Sequence, residues 1–198
     1  AHNGSIIPVP GRDIFAQAWY QGGLSIIDFT DSANPVEIAY FDRGPIHEDH
    51  LILGGYWSTY WYDGMIYGTE IARGMDVFEL VPSEHLTENE IAAARIADQG
   101  ELFNPQQQFR VTWPAEPVVA RAYMDQLNRA DALTAAMNDD LSELLVRAEA
   151  HLADGDSDRR LARELETLAE ALDDGEGAAQ KQRAGLAETL GGIADRLR

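Results

Sequence analysis

The chain has 198 residues and no cysteine, and its 15 Lys and Arg stand against 34 Asp and Glu, a formal charge of −19. That length suffices for one ordinary hydrophobic core or two small ones, and 45% apolar with 9% aromatic residues excludes a disordered chain. The charge repels nucleic-acid phosphates and anionic lipid heads and is offset by no block of Lys or Arg. It therefore argues against a nucleic-acid partner and against direct membrane insertion, and no apolar run nears the roughly 20 residues that span a bilayer.

The absence of cysteine removes a disulfide framework, a thiol nucleophile and cysteine-type zinc sites. Lys181 is the one lysine; every other basic residue is arginine. The chain begins at Ala1 with no charged and apolar leader before it, so a processed product or a piece of a longer protein is expected.

Thirteen of the seventeen aromatic residues precede Pro82, and beyond Pro117 only Tyr123 remains. The first part alternates as strands do and is punctuated by Gly and Pro; the last is rich in Ala, Leu, Glu and Arg at helical spacing. The expected organisation is a β part over residues 1–82, a helical and irregular connector over 83–115 and a helical domain over 116–198.

In chain order, Ile14 to Tyr20 reads as a strand with QGG as its turn, Leu24 to Phe29 as the next, and Val36 to Phe41 as a third after the Asp31 to Pro35 turn. After Gly54-Gly55 the pattern returns. Strands are predicted over Trp57 to Tyr62, Met65 to Ile71 and Met75 to Val81, with Asp63-Gly64 supplying the positive φ angles of a tight hairpin. A fixed offset of 51 residues superposes AQAWYQGGLSIIDFT on YGTEIARGMDVFELV, an internal repeat. A period of about 40–50 residues with about four strands per unit is the signature of propeller blades, and two such units are too few to close a ring. The exposed face then needs a cover: more sequence, another subunit or the helices.

The segment GGLSIIDFTDSANPVEIAYF resembles the LVIVD repeat of bacterial β-propellers, with Leu24 to Asp28 in the eponymous positions and Met75 to Glu79 fitting them more loosely. This resemblance, over about residues 1–82, implies a propeller in an exported or surface-associated protein with no assigned activity. The aromatics Trp19, Tyr20, Trp57, Tyr60, Trp61 and Tyr62 read either as packing between blades or as an exposed cluster that binds sugar or peptide.

Thr87 and Glu90 form a capping box, so a helix is expected to about Asp98. Four more fit about 116–129, 134–153, 158–173 and 178–197, the last broken or loosened at Gly191-Gly192. Leu141, Leu144, Leu145, Ala148 and Leu152 make one apolar stripe, and Leu161, Leu165, Leu168, Ala169 and Leu172 another, predicting a small antiparallel bundle. Residues 117–174 are similar to the FIMAH-type helical domain of secreted bacterial proteins, which implies an accessory module for attachment or association.

Two clusters could hold metal. His47-Glu-Asp-His50, joined by His2 and Glu70 if those point to a common axis, would make a nitrogen–oxygen site for a divalent metal; the same letters also suit a polar loop. Asp154, Asp156 and Asp158 alternate as at the start of an EF-hand loop, but Arg159 stands where its Gly belongs and Leu165 where its bidentate acid belongs. A helix stop at Gly155, with Asp156 or Ser157 capping the next helix, accounts for them equally. His85 and His151 read as surface residues.

The fold class expected is therefore β plus α multidomain: two antiparallel propeller blades of an incomplete ring, followed by a helical bundle. The expected function is non-enzymatic binding of a protein or carbohydrate, with self-association a further expectation, no catalytic residue and no required cofactor. The alternative is a metal-dependent propeller enzyme using His2, His47, His50 and Glu70.

Overall fold

The computed structural model describes residues 1–100, 110–173 and 179–198; part of the irregular stretch and the start of the last expected helix lie outside them. The chain divides into two compact units, Ala1–Thr112 and Trp113–Arg198. Among the described residues they hold two antiparallel sheets, of four and three strands, and five helices.

In the first unit, β1 (Gly4–Ile7), β2 (Ile14–Ala18), β3 (Leu24–Asp28) and β4 (Val36–Phe41) pair in sequence order, and β5 (Tyr56–Tyr62), β6 (Met65–Glu70) and β7 (Gly74–Phe78) form the second sheet. Period-two alternation is why they are strands: along β2 Ile14, Ala16 and Ala18 are buried while Phe15 and Gln17 are only half so. Asp63 and Gly64 take φ of 47° and 80° in the two-residue turn between β5 and β6. The β2–β3 register recurs at the 51-residue offset. Phe15↔Ile27 falls on Ile66↔Phe78, Ala16↔Ile26 on Tyr67↔Val77, and Ala18↔Leu24 on Thr69↔Met75.

The two sheets do not stack like with like. On one face the first buries Ser5, Ile7, Ile14, Ala16, Ala18, Leu24 and Ile26, whereas the second buries Tyr56, Thr59, Trp61, Ile66, Gly68 and Glu70; the small Ser25 and Ser58 are buried on the opposite faces. In β6 these are the positions that correspond to the opposite face of β2. Two contacts tie the buried faces together, the Trp61 amide donating to Ser5 Oγ at 2.7 Å and Thr59 Oγ1 to the Ala16 carbonyl at 3.1 Å. Each sheet thus lays its unlike face on its neighbour, which a two-fold sandwich does not do. Among the described residues the sheets close no ring.

At the offset, β4 would recur over residues 87–92, yet this stretch is helical: α1 spans Glu88–Arg95. Thr-Glu-Asn-Glu-Ile-Ala, with its capping threonine and two glutamates, stands where β4 has Val-Glu-Ile-Ala-Tyr-Phe. The capping box is formed, Glu90 N donating to Thr87 Oγ1 at 3.2 Å and Thr87 N to Glu90 Oε2 at 2.9 Å. Leu86, Ile91 and Ala94 join the apolar cluster of the two sheets, so this part of the stretch read as a connector lies within the first unit.

In the second unit, α2 (Pro117–Arg129), α3 (Ala135–Asp154), α4 (Arg159–Asp173) and α5 (Gln180–Arg196) each pack on two others. Pro117 opens α2, where its missing N–H costs nothing, and Thr134 caps α3 by accepting from Met137 N at 3.2 Å. Leu141, Leu144, Leu145, Ala148, Leu161, Leu165 and Leu172 are buried as expected of the stripes, while Leu152, Leu168 and Ala169 are half-buried. Against the expected break, α5 is continuous through Gly191-Gly192. A Cβ on Gly192 would stand 2.6 Å from that of Ala115, so this glycine allows close approach rather than a kink.

Candidate functional site

The turn after β2, the start of β5 and the first residues of the chain bring His2, Tyr20 and Trp57 together. The His2 ring lies 4.1 Å from that of Trp57 and 5.3 Å from that of Tyr20, and Tyr20 meets Trp57 edge-on at 5.7 Å. The backbone dictates this gathering. Tyr20, in the left-handed region at φ 54°, exchanges hydrogen bonds with Tyr56 at 3.0 and 3.1 Å, which sets Trp57 beside it. Gly55 permits that approach, since a Cβ there would fall 1.7 Å from the Tyr20 carbonyl oxygen.

His2 Nδ1 donates to the Trp57 carbonyl at 2.6 Å, leaving Nε2 of the neutral ring as an acceptor. Trp57 is 48% exposed, and Trp19 and His2 are exposed as well. The expected aromatics therefore divide: Trp61 is core, Tyr60 and Tyr20 are half-buried, and Trp19, Trp57 and Tyr62 face solvent. Rigid aromatic faces beside an acceptor nitrogen suit the apolar side of a sugar ring, or a peptide side chain.

The residues singled out for metal are placed differently from one another. His47 and His50 lie in an exposed loop with their rings 4.5 Å apart, and His47 Nδ1 accepts from the Asp49 amide at 3.0 Å. Glu70 is buried, and its carboxylate accepts from the amides of Gly55 at 2.6 Å, Ala72 at 2.8 Å and Arg73. Burial would push its pKa up, but these three amides outweigh burial and hold it below the usual carboxylate range. His2 is engaged with Trp57, so Glu70 and His2 each have other partners. Among the described residues no three His, Asp or Glu side chains are grouped to hold a metal ion.

Of the three aspartates read as a calcium loop, Asp154 and Asp156 are exposed, and Asp158 caps α4 by accepting from Arg160 N at 2.9 Å and Leu161 N at 3.0 Å. The cap is one or two residues later than expected. Gly155, at φ 73°, ends α3. His151 Nε2 lies 3.5 Å from Asp158 Oδ2, a partner not visible in the sequence.

Sequence reasoning also missed two polar clusters. Arg12 bridges Asp28 at 2.6 Å and Glu90 at 2.8 Å and donates to the His85 carbonyl at 2.7 Å. Burial works against its charge, but the two carboxylates hold its pKa above the ordinary value. Tyr56 Oη donates to Asp76 at 2.5 Å, and Arg43 pairs with the same carboxylate. Burial, then Asp76, pushes the Tyr56 phenol up. Beside the second cluster, a groove of about 350 Å³ runs between the sheets, lined by Leu24, Ile26, Ile38, Phe41, Phe78 and Leu86.

Comparison of the chain with family models, with curated proteins and with solved structures returned no match.

Proposed function

We propose that this chain is a non-enzymatic interaction protein, built from LVIVD-like propeller blades and a helical association module, and that it works outside the cell or at its surface. A protein or carbohydrate partner docks on the rim where His2, Tyr20 and Trp57 gather. The observation that carries the binding role is the exposed Trp57 ring held against His2 and Tyr20: large, rigid and half in solvent, it is the type of side chain that dominates interface energies. The repeated β2–β3 register and the unlike-face stacking of the sheets support the blade reading. No observation of comparable weight favours metal-dependent catalysis.

The test is a screen of the purified chain on carbohydrate and peptide arrays, with hits titrated by tryptophan fluorescence. The expected result is a ligand whose affinity falls about tenfold or more in Trp57→Ala. An array without hits, or a hit whose affinity is the same in Trp57→Ala, would overturn the proposal.

A further inference from the structure

The interface between the two sheets is made from two different faces, and the chain shows each of those faces a second time, uncovered. In the first sheet Leu24 and Ile26 are 3% and 2% exposed, within the cluster that holds Trp61 and Ile66 of the second sheet and Leu80, Leu86 and Ile91 of the segment after it. Their counterparts in the second sheet at the 51-residue offset, Met75 and Val77, are 61% and 51% exposed. Tyr67 and Met65 share that face, and Tyr62, paired with Met65, extends it. On the far side of the first sheet, Ile6 is exposed and Phe15 and Ile27 are half-buried; Phe15 and Ile27 correspond to Ile66 and Phe78, which in the second sheet touch the first. The molecule therefore ends in one unfilled half of its own interface on one side and the other half on the opposite side.

We propose that a second copy of this chain fills them, the Ile6, Phe15 and Ile27 face of one molecule seating on the Met75 and Val77 face of the next. This rests on the tandem-sheet reading above and specifies a partner for it. Ile6, Phe15 and Ile27 on one face and Met65, Tyr67, Met75 and Val77 on the other are uncharged; Glu37, paired with Ile27, ends the first row, where its carboxylate accepts from Ser25 Oγ. Because the two faces differ, the contact is head to tail. It propagates to a ring if the rotation closes and to a filament if it does not, and each added copy repeats the sheet-on-sheet packing already present within the chain.

Sedimentation of the full chain over the low to high micromolar range tests this, with Val77→Asp and Ile6→Asp each blocking one face. Both positions are exposed, so the variants are expected to keep the parent far-UV spectrum, and Met75→Asp replaces Val77→Asp should the latter not fold. The wild type is expected to assemble with rising concentration, each variant alone to remain monomeric, and an equimolar mixture of the two to form a heterodimer through the pair of faces left intact. A monomeric wild type throughout the range overturns the proposal. So does assembly that persists in both single variants, which would place association elsewhere, assembly of one variant alone, which would mean that like faces pair, or a mixture that stays monomeric, which would mean that the two faces do not meet. Ile26→Asp separates this from the underlying reading: if it folds as well as Val77→Asp does, the tandem stacking itself is wrong, whereas its unfolding beside a monomeric wild type removes the self-association alone.

Discussion

Arg12 and Glu90 form an ion pair of 2.8 Å between the loop that follows β1 and the helix α1, with side chains 7% and 0% exposed. Glu90 also accepts the Thr87 amide in the capping box, so one carboxylate both starts the helix and fastens it to the sheet. Removing one member of a buried pair leaves the other charge without compensation. Arg12→Ala is expected to destabilise the first unit by about 3–5 kcal/mol, read by urea unfolding followed through tryptophan fluorescence. A loss no larger than that of an exposed pair would show that water reaches the site.

Acid should loosen the same region. Burial pushes the Asp28 pKa up, but hydrogen bonds from Thr30 and Arg12 outweigh it and set the folded value below 3.8. A carboxylate depressed in the folded state binds fewer protons there than in the unfolded chain, so its contribution is complete above the unfolded value and disappears as pH falls through the folded one. Unfolding free energies measured from neutrality to below pH 3.8 are expected to fall more steeply in the parent than in Asp28→Asn. Parallel curves would mean that Asp28 contributes no such linkage.

Gly185 lies inside α5, where alanine ordinarily stabilises a helix. Here a Cβ would stand 2.3 Å from Tyr123 Cζ, and the ring is 8% exposed and packed in the second unit. Gly185→Ala is expected to cost about 1–3 kcal/mol through overpacking, with Tyr123→Leu restoring part of it. Calorimetry of the single and double variants checks this; a stabilised single variant would show that the ring moves aside.

Gly55 makes a sharper case, because its φ of 80° and the Tyr20 carbonyl both oppose a side chain. Gly55→Ala is expected to break the Tyr20–Tyr56 bridge and disperse the His2, Tyr20 and Trp57 cluster, giving a changed near-ultraviolet dichroism. An unchanged aromatic spectrum would mean that the cluster does not depend on that bridge.

Most strands were legible because apolar alternation and the Asp63-Gly64 turn are local signals, and α1 was legible from Thr87 and Glu90 alone. The 51-residue offset also carried over into matching pair registers. What the letters could not show was which face each sheet buries. Leu24 and Ile26 are as apolar as Met75 and Val77, and only the presence of a neighbouring sheet separates core from surface. Arg12 and Glu90 stand far apart in sequence, so no periodicity announces their pairing. Gly191-Gly192 looked like a break because Gly is the poorest helix former after Pro, but close packing against Ala115 was the reason for one of the two. For the candidate site, Trp57 and Tyr20 were named from composition as either packing or an exposed cluster, and His2 was named only as a metal ligand; their juxtaposition follows from the Tyr20–Tyr56 bridge, a long-range pairing with no local mark.

The stacking of unlike faces is tested most directly by one substitution placed twice, at equivalent positions. Ile26→Asp and Val77→Asp are to be compared by equilibrium unfolding in dilute solution. The account expects Ile26→Asp to lose about 3 kcal/mol or more by burying a charge, and Val77→Asp to stay within about 0.5 kcal/mol of the parent. Equal losses at both positions would contradict it, since they would mean that the two sheets bury equivalent faces.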